Sequence, residues 1–385
     1  MTTAQREPES PPPATLVTAR EHLEEVVAEL RHEPRLAIDT ESNGFYAYQE
    51  RVCLLQISSA REDFIVDPIA IKDLSALGEL TAAPHIEKVF HAGEYDVLCL
   101  KRDYGFAFTN VFDTMIAGRL LGAKELGLAA AIRIYFGVTI SKKLQRADWG
   151  LRPLSEAHFH YAQLDTHYLL RLSDILRDQL REKGRDGDAA EACARLADIE
   201  PVTKSFDPNG FWRLAGRSRL SPRQTACLRE VFLLRERRAK SMDRAHFRIM
   251  PEELMVNLAE AMPENSEALA RVRGMTPYLQ HKLGGAIMDA LARGRTAEPP
   301  TEPPRSGKRR SNRERLLFED LRQWRKAQAE REAVEPVVIL DTKCLQELAR
   351  AAAANEPDPL RSLSALKRGR YGEPLCGLLR PKQNS

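Results

Sequence analysis

The sequence predicts an α/β domain, in which helices flank a mixed sheet, followed by two small all-α domains. Three observations lead to this architecture. Short β-rich segments alternate with segments of helical spacing through the first half of the chain. Strand-like segments end at about residue 207, and only helical patterns follow. Two helical blocks in the second half share a sequence pattern, which indicates a duplicated domain.

The N-terminal segment and the strands come first along the chain. Residues 1–13 are polar and rich in proline, and we expect a disordered tail there. Four later segments are predicted strands because they are short, β-rich and bounded by polar or turn residues. They are LAIDTE, VCLLQISS, DFIVD and EKVFHA. The first three follow one another closely, which predicts an antiparallel meander at the start of the sheet.

Four helices of the first domain are predicted from apolar residues that recur at helical spacing. They are GEYDVLCLKRDYG, DTMIAGRLLG, LGLAAAIRIYFG and a long final helix, SEAHFHYAQLDTHYLLRLSDILRDQLREKG. The last three end at glycine, which is a common residue at a helix C-terminus. Together with the strands, these helices predict an α/β domain over residues 14–205.

The second half of the chain divides at a linker. Residues 295–311 are rich in proline and charge and poor in apolar residues, so we predict a linker between helical domains at 206–294 and 312–385. LLRERRAK at 233–240 parallels DLRQWRKA at 320–327, and IMPEELMVNLAEA at 249–261 parallels ILDTKCLQELARA at 339–351. With two copies, the pattern predicts a tandem pair of globular domains.

Composition narrows the class of protein. A chain of 385 residues predicts two or three domains, and a net charge of +3 argues against a polybasic binder. Six widely spaced cysteines without a CxxC pair argue against zinc ribbons and disulfide scaffolds. The N-terminus has no apolar signal region, and no apolar run approaches the roughly 20 residues that span a bilayer. We expect the protein to be cytoplasmic, to have no contact with a membrane and to be a monomer.

Four carboxylates in apolar segments are the strongest functional signal. Asp39 and Glu41 lie two residues apart at the end of a predicted strand, so both face the same side of the sheet. Asp96 falls in the first turn of a predicted helix, and Asp165 falls in the middle of another. Desolvating an isolated charge is costly, so we expect the four carboxylates to converge around cations.

The chemistry of these groups indicates a reaction. An all-oxygen ligand set favours Mg²⁺ or Mn²⁺. Two such ions roughly 3.5–4 Å apart can activate a water and stabilise a leaving oxygen, which suits phosphodiester hydrolysis. Tyr161 precedes Asp165 by four residues, so both point the same way from a helix, and the tyrosine would orient the water or help to remove its proton.

Three motifs resemble a known family. DTES, HAGEYDVLCL and YAQLDTHYLL resemble the three exonuclease motifs of the DEDD superfamily, and the Tyr-x-x-x-Asp form of the third resembles the DEDDy branch. With FDT at 112–114 and RADWGLRPLSE, the first domain is similar to the bacterial ribonuclease D family, and the two repeats resemble HRDC domains. The resemblance implies a ribonuclease H-like fold and 3′→5′ removal of 5′-mononucleotides from RNA, including tRNA precursors.

The resemblance also implies roles for residues. Asp39, Glu41 and Asp165 match the ligands of the metal that holds the nucleophilic water. Asp39 would also reach a second metal, on the side of Asp96, so the implied cofactor is two Mg²⁺ or Mn²⁺ ions. Tyr161 matches the catalytic tyrosine. His160 has the five-residue spacing of the rival DEDDh branch, but helix geometry favours Tyr161, since five residues place a side chain about 140° from eclipsed.

Substrate contacts and competing functions stay open at this level. Thr40, Gln56 and His91 are expected to contact RNA, although Gln56 and His91 could instead satisfy buried backbone groups. Arginine runs beside three aromatic residues suit an RNA-binding surface, although HRDC-like domains can also serve for packing or protein contact; the aromatic residues are Phe318, Trp324 and Tyr371. The competing functions are a DNA-directed exonuclease and a nucleic-acid-binding protein with an inactive site.

Overall fold

The computed structural model describes residues 11–201, 205–216, 218–302 and 311–379. Six strands in this part of the chain form one mixed sheet. They are β1 (Thr15–Val17), β2 (Arg35–Ser42), β3 (Val52–Ser58), β4 (Asp63–Val66), β5 (Glu87–Phe90) and β6 (Val111–Asp113). The strand order is β1-β4-β3-β2-β5-β6. Strands β2, β3 and β4 form the predicted antiparallel meander. Strand β1 pairs in parallel with β4, and β5 pairs in parallel with both β2 and β6.

Strands β1 and β6 were not predicted, because three residues are too few to show an alternating pattern. The sheet is flanked by eight helices within the described residues. They are α1 (Arg20–Leu30), α2 (Ser75–Ala82), α3 (Glu94–Tyr104), α4 (Thr114–Leu120), α5 (Leu128–Phe136), α6 (Glu156–His167), α7 (Leu169–Glu182) and α8 (Asp186–Ala197). Asp113 caps α4, as its position in FDT suggests, because its carboxylate accepts from the backbone N–H of Met115 and Ile116.

The two faces of the sheet carry different helices. Leu36 and Ile38 of β2 belong to a core with α1, α2 and α3. Ala37, which alternates with them, belongs to a core with α4 and α7. Because side chains alternate along a strand, Asp39 and Glu41 lie on the same face as Ala37. The α/β class with a mixed sheet is therefore confirmed, and one face of β2 presents both carboxylates.

The long helix predicted over residues 155–184 is wrong in one respect, because two helices, α6 and α7, meet at Tyr168. The apolar pattern runs through the break, so the sequence does not show it. Helix α6 packs on β2, β3 and β4, and α7 packs on α4, β2 and β5. Tyr168 is buried at the junction and stacks on Phe136, with ring centroids 5.2 Å apart. The change in direction allows consecutive helices to cover both halves of the sheet.

The rest of the described chain is helical, as predicted. The first helical domain contains α9 (Trp212–Ala215), α10 (Pro222–Ser241), α11 (His246–Ile249), α12 (Glu252–Ala261), α13 (Ser266–Ala270) and α14 (Pro277–Thr296). The second contains α15 (Asn312–Glu332), α16 (Pro336–Ile339), α17 (Thr342–Ala353) and α18 (Ala365–Leu379). Each has its own apolar core. The order α10, α11, α12 recurs as α15, α16, α17, in agreement with the repeated sequence pattern.

Two predicted segments extend beyond what the structure describes. Residues 1–10 of the predicted tail and 303–310 of the predicted linker lie outside the described residues. The start of the linker is placed too early, since α14 continues to Thr296. Close packing of this last turn accounts for the extension: a Cβ on Gly294 would lie 2.5 Å from the Cα of Cys227.

The aromatic residues expected on an RNA-binding surface of the second helical domain lie in its core instead. Tyr371 is 1% exposed, and Phe318 and Trp324 pack on the same apolar cluster. The rings of Trp324 and Tyr371 meet edge to face, with centroids 5.7 Å apart. These side chains stabilise the domain, so a surface for nucleic-acid bases has to be sought elsewhere.

Candidate active site

The site is built on the face of β2 that carries Asp39 and Glu41. Asp39 lies directly opposite Gln56 of β3, and the register shifts after Glu41. Side chains directly opposite each other in an antiparallel pair lie on one face, with Cβ atoms about 4.5–5.5 Å apart. The edge of the site is therefore defined by two strands whose register is fixed by backbone hydrogen bonds.

Helix α6 closes the site from the other side. Its buried residues hold it against the sheet: Ser58 Oγ donates to Thr166 Oγ1 at 2.7 Å, and Gln163 Nε2 donates to the Asp63 carboxylate at 2.7 Å. His167 Nδ1 lies 2.7 Å from the same Asp63 oxygen. These bonds fix the rotation of α6 about its axis. These bonds were not predicted from the sequence, where their signal is the polar residues Gln163 and Thr166 on either side of Asp165 in YAQLDTHY.

Three of the four predicted carboxylates meet. Oxygen atoms of Asp39, Glu41 and Asp165 all lie within 4.8 Å of one another. Asp96 is buried in the first turn of α3, as predicted, but it is not a member of this group of three. One of its oxygens accepts from both the backbone N–H and the hydroxyl of Thr40, so it is held beside β2.

The carboxylates raise one another's pKa values. Burial, and then the charges of Asp96 and Asp165, hold the pKa of Asp39 well above its usual range. Burial and the charge of Asp165 raise the pKa of Glu41 to about 9. Burial raises the pKa of Asp165 to about 7, and that of Asp96 to about 6 against the lowering effect of bonds from Thr40. The cluster therefore favours the binding of protons or cations.

This cluster fits a divalent cation. Within the described ranges, no lysine, arginine or histidine forms an ion pair with Asp39, Glu41 or Asp165. Hard oxygen ligands without nitrogen or sulfur are the set that Mg²⁺ and Mn²⁺ favour. A buried group of like charges without a basic partner is costly, and a cation removes that cost.

Tyr161 lies one helical turn before Asp165 and beside the carboxylates. It is half-buried, and its ring packs against Trp149 with centroids 5.9 Å apart. Burial and the charges of Asp165 and Glu41 raise the pKa of its phenol. His160, the competing residue, is exposed to solvent. Trp149, which the sequence analysis did not single out, is 1% exposed and supports the tyrosine ring.

The three predicted substrate contacts occupy different positions. Thr40 is half-buried and is bonded to Asp96. Gln56 has no exposed surface, and neither of its amide atoms has a partner among the described residues. His91 is half-buried, with Nδ1 2.9 Å from the hydroxyl of Thr114, and burial lowers its pKa.

Comparison with known proteins decides the family. A family model described as a 3′–5′ exonuclease matches residues 14–181, and a model described as an HRDC domain matches residues 224–291 and 314–379. Ribonuclease D of Gluconacetobacter diazotrophicus is 31% identical over 372 residues, which are 95% of this chain and 93% of that protein. The chain belongs to the ribonuclease D family. The resemblance found in the three motifs and the two repeats is thereby confirmed.

Other similarities extend the ribonuclease D comparison. The structure of ribonuclease D from Escherichia coli has the same fold, with a TM-score of 0.67 over 95% of this chain and 98% of that one, at 24% identity. The catalytic core of RRP6 from Trypanosoma brucei is 30% identical, with a TM-score of 0.66 over 73% of this chain and 79% of that one. A relative in Caenorhabditis elegans named exosome complex component 10 homolog is 34% identical over 74% of this chain. The matched part covers only 33% of the length of that relative.

Family membership settles the general chemistry. The chain carries the divalent-metal-dependent 3′–5′ exonuclease domain of ribonuclease D and its HRDC domains, and its substrate is nucleic acid. Among the helices of the described residues, none has the length and apolar character to cross a bilayer. All six cysteines are free thiols, four of them buried, as expected for packing residues.

Proposed function

We propose that this protein is a 3′→5′ exoribonuclease that removes 5′-mononucleotides from RNA 3′ ends and trims the trailers of tRNA precursors. The observation that carries the proposal is the meeting of Asp39, Glu41 and Asp165 within 4.8 Å, with Tyr161 one turn from Asp165. The family comparisons support the reaction, and the names of the ribonuclease D relatives support RNA as the substrate. A cytoplasmic monomer remains part of the proposal.

The proposed cofactor is a pair of Mg²⁺ or Mn²⁺ ions. Asp39, Glu41 and Asp165 would hold one, and Asp39 with Asp96 would hold the other. When bound, the cations supply Lewis-acid stabilisation of the charge that develops on the phosphodiester. Thr40 keeps the carboxylate of Asp96 in one orientation by two hydrogen bonds, so less reorganisation is needed when charge develops.

We assign the orientation of the attacking water to Tyr161. Its raised pKa keeps the phenol protonated at neutral pH, which favours orientation over proton abstraction. Tyr161→Phe removes the hydroxyl but keeps the contact with Trp149, so kcat should fall about 10²-fold or more. His160→Ala is the matched control and should change kcat little, because His160 is exposed. A larger loss in the histidine variant would reverse the assignment.

Gln56 is assigned to support of Asp39 rather than contact with RNA, because it is fully buried opposite that residue. We expect its amide to donate to the carboxylate of Asp39 when that carboxylate is ionised and holds a cation. Gln56→Leu should therefore weaken Mn²⁺ binding about 10-fold, measured as the Mn²⁺ concentration that raises the melting temperature. The exposed Gln145→Leu is the control. An unchanged Mn²⁺ requirement in Gln56→Leu would contradict the assignment.

The test of the proposed function uses a tRNA precursor labelled at its 3′ end, with Mg²⁺, Mn²⁺ or a chelator. We expect release of labelled 5′-mononucleotide with either metal and none with the chelator. A DNA strand of matching sequence is the comparison substrate. Faster release from DNA would favour the DNA-directed exonuclease, and no release from either substrate would favour a binding protein with an inactive site.

A further inference from the structure

Two aromatic side chains remain exposed where the α/β domain meets the first helical domain. Phe45, in the loop after β2, and Phe247, in α11, are each 53% exposed, and their rings meet edge to face with centroids 6.5 Å apart. Arg146 and Arg248 are exposed beside them, each with its guanidinium 5.9 Å from one of the two phenylalanine rings. We call these four residues the junction patch.

Contacts between the two domains hold the junction patch in place. The Arg248 guanidinium lies 3.8 Å from the centre of the Tyr46 ring, and its Nε donates to the carbonyl of Phe45. The Tyr46 hydroxyl donates to the carbonyl of Arg146 at 2.8 Å. The backbone N–H of Ala245 donates to the carbonyl of Tyr46 at 3.0 Å. The three chain segments that form the patch are thus tied to one another.

The loop that carries Phe45 is also anchored at its far end. Asp243 accepts from the backbone N–H of Tyr48 at 3.1 Å, and the Tyr48 hydroxyl donates to Glu236 of α10. Glu50 forms an ion pair of 2.9 Å with Arg102 of α3. Because both ends are fixed, Phe45 is presented in a defined position. Such preorganisation lowers the entropic cost of binding.

Two short chain segments connect the junction patch to residues of the proposed active site. Phe45 follows the proposed metal ligand Glu41 by four residues. Arg146 precedes Trp149 by three residues, and Trp149 packs on the ring of Tyr161. From these short connections we infer that the patch lies beside the active site, on the side of the first helical domain.

We propose that the junction patch is a binding site for the single-stranded RNA upstream of the nucleotide being removed, with bases stacked on Phe45 and Phe247. This proposal rests on the proposed exoribonuclease function and specifies its substrate path. Aromatic faces with neighbouring arginines are the combination that binds single strands, since bases stack and phosphates are attracted to the charge. Exposed Arg244 and Lys143 add positive charge in the same segments, whereas the nearby acid Glu236 is already engaged by Tyr48 and His246.

The test compares two substrates that differ in length. A twelve-nucleotide oligoadenylate RNA, labelled at its 5′ end, reaches past the active site, and a dinucleotide does not. Phe45→Ala with Phe247→Ala should raise KM for the longer RNA about 10- to 100-fold, as expected for the loss of stacking. The loss should exceed any loss on the dinucleotide at least tenfold. Arg146→Gln should raise KM for the longer RNA and make it less dependent on salt.

The matched control is Leu316→Ala with Arg315→Gln, an exposed apolar residue and an exposed arginine on α15 of the second helical domain. It should not distinguish the two substrates. Equal losses on both substrates in the patch variant would overturn the proposal, because the patch would then only support the active site. An unchanged KM for the longer RNA would also overturn it and would leave the surface to a protein partner.

Crosslinking separates this proposal from the proposed function. Asp39→Asn, with a chelator present, is irradiated with a twelve-nucleotide RNA that carries 5-iodouridine at one internal position. Crosslinked peptides should contain Phe45 or Phe247 whether or not the wild type hydrolyses RNA. Crosslinks confined to other peptides would overturn the binding site even if the nuclease is active. Wild-type protein that crosslinks at the patch but releases no nucleotide would contradict the proposed function alone.

Discussion

Asp39→Asn is expected to abolish RNA hydrolysis and, at the same time, to stabilise the metal-free protein. Asp39 is the proposed ligand of both cations, so its loss should lower kcat about 10³-fold or more, equivalent to several kcal/mol of lost charge stabilisation. Asparagine has almost the same shape, so the packing around β2 should persist. The gain in stability follows from removing one charge from a buried group of like charges.

The stability effect should depend on pH. In the metal-free protein the carboxyl pKa values are raised, to about 9 for Glu41, about 7 for Asp165 and about 6 for Asp96. Unfolded carboxyl groups have pKa values of about 4. The folded state therefore binds protons more tightly, and its stability is lost as the pH rises through about 6 to 9. Asp39→Asn should reduce this loss, because the remaining carboxyl groups repel one another less.

Thermal unfolding with a chelator at pH 5.5, 7 and 8.5, repeated with Mn²⁺, measures these effects. The wild type should melt lower at pH 8.5 than at pH 5.5 without metal, and Mn²⁺ should raise its melting temperature most at pH 8.5. Asp178→Asn, which removes an exposed carboxylate paired with Arg181, is the control and should show neither effect. Retained hydrolysis, or a lower melting temperature for metal-free Asp39→Asn, would contradict the proposed site.

The sequence was sufficient where a local period determines the result. Alternation along β2 places Asp39 and Glu41 on one face, and four-residue spacing on α6 places Tyr161 beside Asp165. Whether β2 and α6 meet depends on the whole fold. The three motifs predicted that fold, because they resemble those of a known family. The two HRDC repeats were visible because each helix order occurs twice in similar sequence.

The features that the sequence did not reveal depend on contacts between distant segments. The break at Tyr168 arises because two halves of the sheet need cover from different directions, whereas the apolar pattern is continuous. The junction patch brings together Phe45 and Phe247, which are 202 residues apart in the chain. Neither phenylalanine lies in a periodic pattern, so their exposure becomes apparent only when both domains are in place.

Asp188→Ala is expected to detach the second helical domain from the α/β domain. Asp188 lies in α8 and is only 2% exposed. Its carboxylate pairs with Lys367 of α18 at 2.9 Å and with Arg370, while Arg185, the residue before α8, lies 3.8 Å away. Burial alone would raise its pKa, but the bonds from Lys367 and Arg370 lower it, so the charge is present at neutral pH.

The surroundings of Asp188 explain why one carboxylate should have a large effect. A cleft of about 560 Å³ lies between the two domains beside it, so apolar packing there is incomplete. Val338 of α16 lies in the core of the α/β domain, and Val334 packs against that core. Removing the carboxylate leaves the ammonium of Lys367, whose side chain is 11% exposed, without its ion-pair partner. Leaving a buried charge unpaired typically costs about 3–5 kcal/mol. Docking should then be lost, while each domain keeps its own core.

Limited proteolysis of the segment between α14 and α15, together with thermal unfolding, measures the detachment. Asp186→Ala, which removes an exposed carboxylate from the same turn of α8, is the control and should behave as the wild type. If docking of the second domain selects RNAs with a structured body, Asp188→Ala should slow trimming of a tRNA precursor more than hydrolysis of a short single strand. An equal loss of rate on both substrates would mean that docking does not contribute to substrate choice. The active site lies on β2 and α6, and Asp188 lies on neither of them. A loss of activity confined to structured RNA would therefore result from the changed domain arrangement and not from damage to the catalytic residues.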